Sequence, residues 1–583
     1  MSKKSFLFIL TVLLSFSLTG CTVVGDMVDA YKKASRSFYF NDNVAPTLRY
    51  IDQEDKEKKE EEELNPAMKR YLEIGKNKTY YPAVNVSGLS IDKNADLGQF
   101  SFDHDIIYKG EKVKNYKRDE SISFPKAQDY SFIEGITAFR GNHYRNTASY
   151  GVADIKSGKL EQIWEVSIGY IDTWTGVGWT GQPVIVKWPE STKLAMNLYS
   201  DKKIKSDLKE VIYGTLDGNI YFLDLEDGSK TRAPINTGFP IKGSVSVDPR
   251  GYPLLFAGQG INTNANAQSD CKLRIFNLLD QSLLFELSGN DPHAYRAWNA
   301  FDSNALIDAK TDTLIQAGEN GIIYTAKLNS EYDESERKIS INPEFSNYRY
   351  NSPYGTGLGV ENSPVVYRNL IYFVDNTGFL QCVDLNTLTP VWAYNVTDDT
   401  DSTLVLEEIS DNEVFLYTAC EVDLQKDGGS AYIRKFNALT GKLLWEKSFK
   451  CHYDANVNGG VLATPAMGEY AVSHLIFYNI AKTVNTPGYG LLCAMDKNTG
   501  DIVWQVPQDF YSWSSPVLVY DPKGKGYLVA CDSGGKMSLY DALSGKLLDS
   551  ISLGSNVEGS PAVYDNMIVI GTRGQKIIGV KIK

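Results

Sequence analysis

One short pattern recurs along this chain and restricts its fold more than any other feature. Its clearest copy is Lys435-Phe436-Asn437-Ala438-Leu439-Thr440-Gly441-Lys442-Leu443-Leu444-Trp445. Tyr432 to Phe436 reads as a strand. Asn437 can accept bonds from the backbone just ahead and open a turn, and Thr440-Gly441 closes it, with glycine free to take positive φ. Leu443-Leu444-Trp445 then runs back as a second strand and carries a large aromatic. One hairpin cannot bury that indole, so the unit needs neighbours of its own kind.

The acid or amide that opens the turn recurs at Asp224, Asn277, Asn329, Asp384, Asn437, Asp496 and Asp541, at spacings of 53, 52, 55, 53, 59 and 45 residues. The copy at Asn329 is degenerate. Each copy has an earlier half, as in Asn362-Ser363-Pro364-Val365-Val366 followed by Leu370 to Val374, or Gly559-Ser560-Pro561-Ala562-Val563 followed by Met567 to Gly571. Four short strands in a period of about 50 residues make one propeller blade. Ile577 to Lys581 begins an eighth copy without its outermost strand. Leu160 to Val166, with Trp164 in place and a turn at Lys156-Ser157-Gly158-Lys159, supplies a matching strand before the first copy. The expectation is an all-β, eight-bladed ring closed by a strand at about 160–168, which removes both free sheet edges.

The copy Ala494-Met495-Asp496-Lys497-Asn498-Thr499-Gly500-Asp501-Ile502-Val503-Trp504 resembles the repeat of pyrroloquinoline-quinone (PQQ) dehydrogenases, Ala-x-Asp-x-x-Thr-Gly-x-x-x-Trp. The resemblance covers about residues 160–583. It implies the fold and leaves function open, because non-enzymatic proteins use the same repeat. Overall the chain is most similar to PQQ-like propeller lipoproteins, among them the outer-membrane-assembly lipoproteins, and Phe139-Arg140-Gly141-Asn142 resembles the segment that leads into such propellers.

Residues 1–20 begin with Lys3 and Lys4, continue with an apolar run from Phe6 to Leu14, and end in Leu18-Thr19-Gly20 before Cys21. The basic start and short apolar core read as an export signal. Leu-Thr-Gly-Cys resembles the bacterial lipoprotein signal, which implies cleavage before Cys21 and its lipidation. Residues 21–79 then form a lipidated tether whose run from Gln53 to Glu63 is almost wholly charged, a solvated spacer. Residues 80–158 are an N-terminal extension without repeats, and 159–583 the propeller. The expected location is the bacterial cell envelope, on the extracytoplasmic side of a membrane.

The formal charge is −13, or −15 once Lys3 and Lys4 leave with the signal. Sequence-independent nucleic-acid binding needs a basic face, so nucleic acid is not an expected partner. Cys271, Cys382, Cys420, Cys451, Cys493 and Cys531 are widely spaced, with no CxxC and no vicinal pair, and read as buried strand thiols. The histidines share no metal-ligand spacing, and no G-x-S-x-G elbow is present.

Loops leading into the innermost strands of a propeller ring its axis. Here they carry Trp174, Trp179, Lys242, Tyr295, Arg296, Trp298, Asp302, Tyr354, Glu361, Asn362, Asn458, Trp513 and Glu558. Trp179, Tyr295, Arg296, Trp298, Asp302, Tyr354, Glu361, Asn362, Trp513 and Glu558 form the candidate binding face. Such a set suits a sugar, a peptide or a quinone. No catalytic residue, metal ligand or cofactor is assigned. The expected function is a membrane-anchored, non-catalytic propeller that binds a protein, peptide or envelope polymer, as an assembly scaffold. The alternatives are a dehydrogenase dependent on PQQ and Ca²⁺, with Glu361, Asn362 and Asp302 the nearest candidates around the cofactor, and a carbohydrate-binding propeller with a cell-envelope glycan as partner.

Overall fold

The computed structural model describes residues 84–179, 181–484 and 489–583. The expected signal, Cys21 and the charged tether lie outside the described residues. Eight antiparallel sheets follow one another along the chain, and each is a blade. Blade 1 starts at Val184–Lys187, blade 2 at Ser246–Val247, blade 3 at Leu306–Asp308 and blade 4 at Val365–Tyr367. Blade 5 starts at Val405–Ser410, blade 6 at Ala466–Met467, blade 7 at Val517–Tyr520 and blade 8 at Ala562–Tyr564. Blade 8 is completed by Leu160–Ser167, which pairs antiparallel with Lys576–Ile582. The ring closes with the strand expected from the sequence.

The recurring hairpin does two jobs. Its opening acid or amide caps the turn: Asn437 Oδ1 accepts from the Leu439 and Thr440 amides at 3.0 Å each, and Asp496 Oδ1 from those of Asn498 and Thr499. Its tryptophan latches one blade to the next. Trp392 Nε1 donates to Ala438 O at 2.9 Å, Trp445 to Lys497 O at 3.0 Å, Trp504 to Ala542 O at 3.0 Å and Trp164 to Leu225 O at 2.9 Å. The acceptor each time is the carbonyl just after the next blade's turn acid or amide. The turn glycine lies flat on the same indole. A Cβ at Gly500 (φ +72°) would come within 2.8 Å of Trp445, and one at Gly545 (φ +71°) within 2.6 Å of Trp504. At these junctions glycine is favoured by backbone conformation and required by packing against the indole.

Two of the four junctions without a tryptophan latch use an arginine instead. Arg232 donates to Leu278 O at 2.8 Å, and Arg118, from the N-terminal extension, donates to Leu385 O at 2.7 Å. The second junction belongs to blade 3, the degenerate copy. Its outer strand Glu344–Tyr350 is paired by His104–Tyr108, which in turn pairs with Glu111–Val113, so the extension adds two strands to that blade. The six cysteines within the described residues are free and buried.

Around the axis, residues just ahead of the inner strands join blade to blade. The Gln182 amide donates to Ser244 Oγ at 2.9 Å, Asn304 Nδ2 to Ser244 O at 2.9 Å, Asn304 N to Ser363 Oγ at 2.9 Å and Ser363 N to Thr403 Oγ1 at 2.9 Å. Ser402 Oγ donates to Ala463 O at 3.0 Å, Thr464 N to Ser515 Oγ at 3.0 Å, Ser515 N to Ser560 Oγ at 3.1 Å and Ser560 N to Gly181 O at 2.9 Å. This is the physical reason for the Ser-Pro pairs that open the later blades. The hydroxyl bonds the neighbouring blade, and proline, without an N–H, starts the strand.

Residues 130–153 run along the inner strands. Glu134–Ile136 pairs antiparallel with blade 1 and Ser149–Tyr150 parallel with blade 8. Between them Thr137 O accepts from Val247 N, His143 O from Val366 N, Tyr144 O from Leu406 N and Ala148 O from Val563 N. Arg140 and Arg145, both fully buried, turn into the channel. Arg140 donates to Pro516 O and Pro465 O, and Arg145 to Pro364 O, Phe139 O and both oxygens of Asn304. This end of the channel is plugged by the chain itself.

Candidate functional site

The opposite end, where the loops lead into the inner strands, holds a cavity of about 220 Å³. Trp174, Trp179, Lys242, Glu361, Asn458, Trp513 and Glu558, all marked out by sequence, line it together with Asp401, Glu421 and Arg573. Trp179 and Trp513 are held by indole bonds to Leu462 O (3.4 Å) and Asn458 O (3.3 Å). Each indole N–H is thereby paired with a backbone carbonyl.

Lys242 is the cation at the centre. Its Nζ lies 2.5 Å from Asp302 Oδ2, 3.6 Å from Glu361 Oε2 and 5.7 Å from the Trp179 ring centroid. Burial works against its charge, but Asp302, Glu361 and Glu319 outweigh it and hold the ammonium well above its ordinary value. Glu319 is a buried neighbour of the same group. Trp298 Nε1 donates to its Oε2 at 2.6 Å, and Arg296 donates to its carbonyl at 3.3 Å. Burial, with the Glu361 and Asp302 charges, pushes the Glu319 carboxyl well up. Glu361 stays below the usual range despite burial, because Lys242 and the Asn376 amide, 2.8 Å away, favour its charged form. Glu558 is bonded by Asn556 Nδ2 (2.8 Å) and paired with Arg573 (3.3 Å).

Two sets of oxygens here are close enough to share a cation, Asp302 with Glu319 and Glu361, and Asp399 with Asp401 and Glu421. In each set the carboxylate oxygens lie within 4.8 Å of one another. The first already holds the Lys242 ammonium.

Three residues singled out from sequence serve other ends. Asn362 is buried and bridges Val374 O and Thr400 O at 2.7 Å each, a loop brace. Tyr295 lies under the Arg349 guanidinium, 4.1 Å from its ring centroid, and Tyr354 meets Phe379 edge-on at 5.9 Å. Neither tyrosine lines the cavity. Asp399, Asp401, Glu421, Glu319 and Arg573 were not singled out. Asp399 and Asp401 sit one repeat after Glu361, and that register is the signal that points to them; Glu421 and Arg573 follow second strands, which the inner-loop rule does not reach.

Comparison with known proteins places the repeats and the fold. The family model described as outer membrane protein assembly factor BamB, a PQQ-like repeat, matches residues 488–583. No curated protein sequence matches the chain. BamB from Moraxella catarrhalis is 14% identical over 73% of this chain and 98% of its own, with a TM-score of 0.45. The computationally designed Ika8 protein is 13% identical over 72% and 100%, with a TM-score of 0.41. The quinohemoprotein alcohol dehydrogenase ADHIIG from Pseudomonas putida HK5 is 12% identical over 77% and 80%, with a TM-score of 0.51. At that identity the likeness speaks for fold alone. The chain is an eight-bladed β-propeller, similar in its repeats to the PQQ-like propellers, BamB and the quinoprotein dehydrogenases among them.

Proposed function

We propose that this chain is a membrane-anchored, non-catalytic propeller of the bacterial cell envelope that binds an extended segment of a protein partner by strand addition. The observation that carries this reading is the outer strand of blade 6, Ile502–Gln508. It is the last strand of its sheet and contains no charged residue, and Ile502 and Val503 are more than two-fifths exposed. Charge and proline normally guard such an edge. Blade 5 has Glu446, Lys447 and Lys450 on its outer strand, and blade 6 has only Pro507. An edge without charge offers backbone bonds for affinity and alternate side chains for specificity. Blade 3 supports the geometry from within the molecule, since two strands of the extension already add to its outer edge. The match of residues 488–583 to the BamB model supports an assembly role of this kind, and Cys21 would supply the anchor.

The cavity lining speaks against the quinone reading. PQQ is itself a tricarboxylate. Glu361, Asp401, Glu421 and Glu558 line the cavity, and its two cations, Lys242 and Arg573, are engaged with Asp302 and Glu558. The lining thus offers a further polyanion no cationic side chain that is not already paired. These residues do not fit the group, and no redox step is assigned to them.

The test is photocrosslinking in native membranes. A crosslinker at Gln505, exposed on the blade 6 edge, is expected to give a defined protein adduct that Val503→Lys abolishes. A crosslinker at Lys112, on the charged edge of blade 3, is expected to give none. Equal labelling at both positions, or an adduct indifferent to Val503→Lys, would remove the proposal.

A further inference from the structure

The two carboxylate sets at the cavity end differ in one respect that matters. The set around Asp302 is neutralised by Lys242. The set formed by Asp399, Asp401 and Glu421 has no ion pair to any Lys, Arg or His among the described residues. Asp399 and Asp401 belong to the loop between blades 4 and 5, and Glu421 follows the second strand of blade 5, where Glu421–Val422 pairs with Gly459–Gly460 at the edge of blade 6. Glu421 is only 2% exposed, and its Oε2 is buried without a hydrogen-bond partner. Asp399 Oδ1 and Asp401 Oδ1 are buried and unpartnered as well, as is Oδ1 of Asn458 on the same cavity wall. The nearby Asp398 shows what a satisfied carboxylate looks like here: its oxygens accept from the Asp399, Leu424 and Gln425 amides.

We propose that Asp399, Asp401 and Glu421 form a Ca²⁺ site, held without any organic cofactor, that clamps the loop between blades 4 and 5 to the edge shared by blades 5 and 6. Three acidic oxygens gathered with buried, unused lone pairs supply the hard-oxygen ligands and charge that Ca²⁺ requires. One oxygen from each of the three lies within 4.8 Å of the other two, close enough for a single cation to reach them all. Burial and the mutual repulsion of these groups push all three carboxyls well up in the absence of a cation, so ion binding would release protons. The cation would also complete the wall of the cavity on the side where Lys242 does not reach.

The experiment uses the full chain, solubilised in detergent and freed of metal with a chelator. Calorimetric titration with Ca²⁺ is expected to show one saturable site, and the melting temperature is expected to rise with added Ca²⁺. Tb³⁺ as a substitute should gain luminescence from the indoles of Trp179 and Trp513, and Ca²⁺ should displace it. Asp401→Asn and Glu421→Gln should each weaken Ca²⁺ binding by roughly tenfold or more. Each should also leave the metal-free melting temperature unchanged or higher, since a repelling charge is removed; loss of a purely structural contact would lower it. If Glu421→Gln fails to fold, Asp401→Asn, at the rim of the cavity, carries the test alone. No heat and no melting shift at Ca²⁺ on the order of millimolar would overturn the assignment, as would an affinity unchanged in Asp401→Asn.

Discussion

The two ends of the central channel bury charge in opposite ways. At the plugged end, Arg140 and Arg145 are enclosed, and their guanidinium N–H groups meet carbonyls of the plug and of blades 3, 4, 6 and 7. At the open end, carboxylates outnumber cations, and several of their oxygens have no partner. A polar network that is mostly paired, as the plug is apart from atoms such as Arg140 Nε, rigidifies the structure around it, whereas a cluster of unsatisfied buried carboxylates is costly unless something else completes it. The plug is therefore architecture, and the open end is a place prepared for a further component. Both ends use the same blades, so the difference lies entirely in the loops and in the N-terminal extension.

The largest effect should come from breaking the plug. Arg145→Ala removes the donors of four hydrogen bonds and leaves their acceptors buried, a loss of about 3–5 kcal/mol in urea unfolding. A loss below about 1 kcal/mol would mean that the propeller does not depend on the plug.

The next effect is acid sensitivity of the same end. His143 is fully buried between Phe124, Tyr130 and Tyr144, its Nε2–H donates to Pro125 O at 3.0 Å, and burial holds its pKa down at about 3 against an ordinary 6.5. The folded state keeps the ring neutral while the unfolded state takes up a proton. This stabilising contribution is thus complete above pH 6.5 and is lost as pH falls toward 3. By about pH 4.5 it should cost about 2–3 kcal/mol. His143→Gln, which can still donate to Pro125 O, should flatten that slope in acid-unfolding curves; an unchanged slope would assign it to other groups.

The open end should respond with the opposite sign. The Glu319 carboxyl is raised by burial and its neighbours, so its contribution is present at low pH and is lost as pH rises through the folded value. Glu319→Gln can keep the bond from Trp298 and should raise stability at neutral pH by about 1 kcal/mol. A decrease would show that Arg296 and Lys242 already neutralise it fully. The smallest effect is expected for Arg573→Gln. Its pair with Glu558 opens on the cavity, and the loss should stay below about 1 kcal/mol in thermal melts. A larger loss would make this rim part of the scaffold.

Much of the fold was legible because the repeat is local. The turn acid bonds amides two and three residues ahead, the glycine sits four residues after it, and the tryptophan follows at a fixed offset, so every part lies within one hairpin. The closing strand was legible for the same reason, since Trp164 carries the same signature. The cavity was legible only by half. Trp179, Lys242, Glu361, Trp513 and Glu558 reach it from the loops expected to ring the axis, but Tyr295 and Tyr354 turn aside onto Arg349 and Phe379. Sequence position assigns a loop to the axis and does not say which way a side chain leaves it.

By itself the amino-acid sequence determined the blade, the number of blades and the strand that closes the ring. These follow from hairpins that must cover one another's indoles. Only the tertiary structure decided which blades would be modified and which end of the channel would stay open. Arg118 replaces a tryptophan latch from a position outside the motif, the extension adds strands to blade 3, and residues 130–153 bond inner strands of blades hundreds of residues away. None of those contacts has a local period, because each depends on where the closed ring brings distant backbone groups to the axis.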